Sequence, residues 1–133
     1  FIAQWGLEDR ISTHPGDFTR GPLPKGADVM LMASNLPQYS AEAIEEVFRS
    51  AYTALEPGGE FHVVGETLDD EKKGPLGPAL WGIHEALFGS KGRAHSEEET
   101  KGYLEKVGFL DVQVYPFIPG SLSRITAKKQ PGA

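Results

Sequence analysis

Between Ala27 and Leu68 the spacing of apolar positions switches from strand-like to helical and back. Asp28 to Asn35 opens with the run Val29-Met30-Leu31-Met32-Ala33, which reads as a strand. Ile44, Val47, Phe48, Ala51, Tyr52 and Leu55 then recur at i, i+3, i+4, i+7, i+8 and i+11, one continuous helical stripe. Ser40 is a natural N-cap for that helix, Glu42 suits its positive N-terminal end, and Pro57-Gly58-Gly59 stops it. A second apolar run, Phe61 to Leu68, follows. Strand, helix, turn, strand is a βαβ unit: parallel strands joined by a right-handed crossover, with ligand sites at their carboxyl ends. Those ends are Ser34 to Gln38 and Glu66-Thr67.

The flanking residues predict further elements. Phe1 to Leu7 reads as the end of a helix stopped by Gly6, and Arg10 to His14 as a short strand. Thr19 to Gly26, with two prolines and two glycines, reads as loop, and Asp69 to Gly77 as a mobile loop. Pro78 opens a helix carrying Leu80, Trp81, Ile83, His84, Leu87 and Phe88. Ser96 and Glu99 form a capping box for the next helix, which ends at Gly108. Phe109 to Phe117 alternates as a strand, Pro119-Gly120 turns it, Ser121 to Lys128 returns as a hairpin partner, and Lys129 to Ala133 reads as frayed tail. The order predicts one α/β domain with an antiparallel strand near one edge.

Composition narrows the partners. A net charge of −6 leaves no electrostatic footprint for nucleic acid or an anionic membrane. With no cysteine, thiolate metal sites and disulfides are excluded, and His14 and His62 show no metal-ligand spacing. No apolar run approaches the roughly 20 residues of a membrane span. A soluble, cytoplasmic protein is the default expectation.

Five segments carry a resemblance. They are Asp9-Arg10 with Pro15 to Phe18; Leu23 to Asp28; Ala54 to Gly59 with Val63 to Glu66; Gly92-Arg93 with Ser96 to Glu99; and Val107 to Phe109. In this order and spacing they resemble the C-terminal half of S-adenosylmethionine (SAM)-dependent O-methyltransferases of the caffeate and antibiotic-biosynthesis type. The resemblance implies a partial class I methyltransferase sheet of Rossmann-like form, strands three to seven of the family. Residues 1–133 are then expected to be the C-terminal part of a catalytic domain, without the family's glycine-rich SAM loop and N-terminal dimerisation domain. SAM is the implied cofactor and a small molecule the implied acceptor. A homo-oligomer, or association with the missing N-terminal part, is the implied assembly. Where the family has its catalytic histidine, this chain has Pro37.

The candidate residues each carry two readings. By resemblance Asp17 and Phe18 flank the adenine, with Asn35 at the first strand's tip as a further cofactor contact; a Pro-Gly-Asp turn before a core phenylalanine is the structural alternative. Glu66, at a strand's carboxyl end, is either the family's acid or a solvated glutamate. His84 is either a replacement base or a satisfied core histidine, and His95 could face the pocket. Glu99 is either near the reaction or simply the capping-box acid. Trp81 and Phe88 read as pocket wall or core. A phenol with a pKa near 10 gains from a base, whereas carboxylate, amine or carbanion acceptors need less help. The alternative to an enzyme is a non-catalytic relative that binds a ligand or partner, and another reaction on the same scaffold stays open. The sheet is expected to use 28–34, 61–66, 111–117 and 121–128, with the exposed edge of 28–34 covered by another copy or another chain.

Overall fold

The computed structural model describes residues 1–132. Four strands and three α-helices follow in chain order: β1 Ala27–Ala33, α1 Ala41–Ala54, β2 Leu55–Gly65, α2 Leu76–Leu87, α3 Glu97–Val107, β3 Leu110–Ile118 and β4 Leu122–Lys128. The sheet order is β1-β2-β4-β3. β1 and β2 pair in parallel, whereas β4 runs antiparallel to both neighbours. The predicted sheet is therefore present, with its antiparallel strand next to the edge.

Local chemistry explains the boundaries. The Ser40 hydroxyl accepts from the Ala43 N–H at 3.3 Å and starts α1. Ser96 and Glu99 form the reciprocal capping box of α3, which Gly108 ends at φ 113°. Pro57-Gly58-Gly59 does more than turn the chain, because it lies inside β2 as a bulge between the pairs Ala27–Leu55 and Val29–Glu60. A Cβ on Gly59 would come within 3.0 Å of the Asp28 carbonyl oxygen, so only glycine lets the strands approach. α2 begins two residues before the predicted start. Pro78 falls in its first turn, where a missing N–H costs no helical bond.

α1 and α3 cover one face of the sheet. Phe48 and Phe61 meet edge-on at 5.4 Å, Phe61 stacks on Phe109 at 5.6 Å, and Tyr52 abuts Phe109 at 5.0 Å. Ile44, Val63, Leu104 and Ile125 complete this core and are fully enclosed.

Several expectations fail. Arg10–His14 forms no strand; it is irregular and exposed, since no neighbouring strand supplies its hydrogen bonds. The N-terminal helix is reduced to a single 3-10 turn, Ala3–Trp5, with Gly6 closing it at φ 61°. The loop after β2 is tied down: Asp69 accepts from the Lys73 N–H, and Asp70 from the Glu98 N–H. The tail is anchored at Lys129, whose N–H donates to the Gly59 carbonyl and whose ammonium donates to Leu55 and lies over the Tyr52 ring. Within this single chain β1 is an open edge, with Val29 and Leu31 59% and 67% exposed.

Candidate active site

The parallel strands β1 and β2 end side by side, and their tips interlock. Ser34, in the left-handed region at φ 56°, donates its N–H to the Val64 carbonyl and turns the chain into a 3-10 turn, Leu36–Gln38. Leu36 from this turn lies directly over Gly65, where an added Cβ would come within 3.1 Å of it. Pro37 is fully buried and contributes no titratable group.

Two buried acceptors at these tips lack a partner. Asn35 Oδ1 and Glu66 Oε2 are both shielded from solvent with no hydrogen-bond donor in reach. An unpaired buried polar atom costs on the order of 1–3 kcal/mol, so each has capacity to accept a further hydrogen bond. Asn35 lines an apolar cleft of about 360 Å³ together with Phe18, Leu23, Met30, Met32 and Phe61. Phe18 is half-buried, edge-on to Tyr39 at 5.6 Å, and also borders a second cleft with Asp17 and His14.

Asp17 is partly committed. One oxygen accepts from both the Thr19 N–H and hydroxyl, and these bonds, with Arg20 nearby, hold its carboxyl below the usual range. Its other oxygen lies 3.7 Å from Arg20 and faces solvent. An aromatic wall, an apolar cleft and two acceptors fit the adenosine end of a cofactor.

The other candidates separate sharply. Glu99 sits at the centre of a hydrogen-bonded cluster, accepting from Arg93 through both oxygens, from Lys72 at 2.8 Å and from the Ser96 N–H at 2.8 Å. Burial alone would raise its pKa, but the Arg93, Lys72 and Ser96 donors outweigh that and bring it to about 2. So weak a base, with its oxygens taken, holds structure rather than moving a proton. His84 is exposed, not a core residue, and is stacked between Trp81 at 5.0 Å and Phe88 at 4.5 Å. Trp81 and Phe88 are likewise outward, 39% and 76% exposed, because α2 turns Pro78, Gly82 and Glu85 inward instead. Of the two readings, pocket wall or core, the core one is corrected; they form an outward aromatic wall.

His95 is the residue that sequence reasoning underrated. It is fully buried, with Nε2 2.9 Å from the Tyr39 carbonyl oxygen and Nδ1 3.2 Å from the Tyr103 hydroxyl. A histidine just before a capping serine, facing a tyrosine seven residues into the helix, was the available signal. No group of acidic or histidine side chains among the described residues forms a metal cluster.

A parallel βαβ unit with open polar groups at its strand tips, flanked by an antiparallel hairpin, defines a class I methyltransferase-type sheet. The chain matches the O-methyltransferase domain family over residues 1–110, and it belongs to that family. It is 31% identical over 121 residues to a 3-hydroxy-5-methyl-1-naphthoate 3-O-methyltransferase of Streptomyces sahachiroi, covering 90% of this chain and 35% of that protein. It is 34% identical over 109 residues to an L-tyrosine C(3)-methyltransferase of Streptomyces lavendulae, covering 81% of this chain and 30% of the relative. Among solved structures, PigF with SAH superimposes with a TM-score of 0.85 at 26% identity, covering 96% of this chain and 38% of that one. The chain thus spans about a third of the length of the proteins it resembles.

Proposed function

We propose that this chain is the C-terminal part of a SAM-dependent methyltransferase that methylates a small-molecule acceptor. The observation that carries this reading is the pair of partnerless buried acceptors, Asn35 Oδ1 and Glu66 Oε2, at adjacent strand tips in a member of the O-methyltransferase domain family. The relatives act on a naphthoate oxygen and on a tyrosine carbon, which supports an aromatic acceptor.

SAM supplies an electrophilic methyl group on a sulfonium. Phe18 and Asp17 would hold its adenine side, and Asn35 would accept a hydrogen bond from its nucleoside end. Glu66 would accept from an O–H or N–H of the acceptor other than the attacking one and so orient it, and proximity and alignment supply much of the rate. Pro37 takes no proton, so an acceptor of high pKa needs a base from elsewhere. His84 on α2 is the candidate, with the Trp81 and Phe88 rings as the acceptor's wall. Glu99 stabilises the loop beside this site.

Among the described residues no helix is long and apolar enough to cross a membrane. A cytoplasmic location and a dimer that covers the exposed edge of β1 complete the proposal.

The test is methyl-labelled SAM with a panel of hydroxylated aromatic acids and phenols, using the full-length protein and Glu66→Gln. Label transfer that falls about 10²-fold or more in Glu66→Gln supports the role of Glu66. SAM binding without transfer to any acceptor overturns the catalytic reading in favour of a binding module.

A further inference from the structure

The loop 89–95 is clamped on two sides. Towards α2, Gly82 packs so closely on Ala94 that a Cβ there would lie 2.6 Å from the Ala94 nitrogen. Towards the 36–38 turn, Gly92 is buried against the backbone of Pro37 and Gln38, and an added Cβ would lie 2.6 Å from the Gln38 carbonyl carbon. His95 completes the second contact through the Tyr39 carbonyl. That oxygen can only accept, so His95 Nε2 carries the proton and Nδ1 accepts from the Tyr103 hydroxyl.

Behind His95 stands an ordered chain of donors and acceptors. The Tyr103 hydroxyl also accepts from Arg93 at 3.1 Å, and Arg93 is held by Glu99 and, through it, by Lys72. The neutral tautomer fits this chain. A protonated His95 would offer Nδ1–H to a hydroxyl that already accepts from Arg93, leaving the hydroxyl proton without its partner.

We propose that His95 is a positioning residue: through its Nε2–H bond to the Tyr39 carbonyl it pins the 36–39 turn at the tip of β1. The turn carries Pro37 and follows Asn35, so its position sets the geometry of the candidate site. The charges facing His95 agree with a neutral ring. Burial lowers its pKa first; Arg93 of its own loop and Lys72 of the 69–75 loop push it further down, against Glu99 of α3 and the Tyr39 carbonyl. Tyr103 of α3 is itself held protonated, mainly by burial. Glu42 of α1 acts on Arg93 from the far side.

The link to methyl transfer rests on the function proposed above, but the mechanical claim is tested without it. Amide hydrogen exchange on the full-length protein reads the Gln38 and Tyr39 N–H groups, which donate to Asn35 and Leu36. His95→Ala is expected to speed exchange in 36–40 by about tenfold while the α1 peptide 44–54 is unchanged, and His95→Gln, which restores a donor near Nε2, is expected to recover most of the protection. Should His95→Ala not fold, Gly92→Ala tests the same contact by forcing loop and turn apart. Unchanged turn exchange in these variants, or equal loosening of turn and α1, overturns the proposal. Loss of methyl transfer with an unaltered turn would likewise overturn the positioning claim and leave the proposed function standing, whereas a loosened turn in a protein whose wild type transfers no methyl group would count against the function alone.

Discussion

Two histidines eleven residues apart occupy opposite kinds of site. His95 is enclosed, bonded through both ring nitrogens, and joined to a network that runs through Tyr103, Arg93, Glu99 and Lys72. The His84 ring has no hydrogen bond among the described residues and lies in an exposed stack with Trp81 and Phe88. The region around α3 completes itself from this chain's own residues, whereas the outer face of α2 leaves Leu76, Ile83, Leu87 and Phe88 more than half exposed. A satisfied polar cluster sets geometry; an unsatisfied apolar wall with a free imidazole is a surface built to meet something. The first is scaffold and the second is where a substrate is expected.

The contrast can be broken most forcefully at His84. If it is the base, His84→Ala in the full-length protein is expected to lower kcat by roughly 10²–10⁴ with SAM affinity unchanged. Steady-state kinetics with calorimetry reads both, and an ordinary kcat would leave His84 a mere member of the wall.

A pair of phenylalanine truncations sharpens the same contrast in stability. Phe48→Ala, in the enclosed core beneath α1, is expected to cost about 3–5 kcal/mol. Phe88→Ala on the exposed face is expected to stay within about 0.5 kcal/mol for the chain taken alone. Urea unfolding measures both, and a large cost at Phe88 would mean that α2 packs more tightly than its exposure shows.

An effect between those two is expected at Glu99. Glu99→Ala removes one half of a capping box and the partner of Arg93, and is expected to cost about 1–2 kcal/mol. Its carboxyl titrates near 2 when folded against 4.5 when free, so its stabilisation is complete above pH 4.5 and is lost as pH falls through about 2. Acid-unfolding curves of the variant are expected to lose that component. His95 acts at higher pH: its lowered folded pKa means that stability is full above 6.5 and declines as pH falls below it.

The sheet and its covering helices were legible because β1, α1, β2 and α3 carry their own periodicity and caps. Ser40, Ser96, Glu99 and Gly108 act in the structure as their positions implied. Arg10–His14 misled, because its weak alternation says nothing of whether a neighbouring strand exists. The apolar residues of α2 also misled, since a hydrophobic helix in sequence cannot reveal whether the surface it would bury is in the same chain. The places of Asn35 and Glu66 at strand ends were legible from the apolar runs that precede them. The role of His95 was not, because it depends on a carbonyl 56 residues away.

The central claim is that the β1 tip binds the nucleoside end of SAM, and calorimetric titration of SAM into the full-length protein tests it most directly. The account expects saturable binding by the wild type, weakened about fivefold or more by Asn35→Ala through the lost acceptor and further by adding Phe18→Ala. No measurable binding by the wild type, or equal affinity in the double variant, would contradict it.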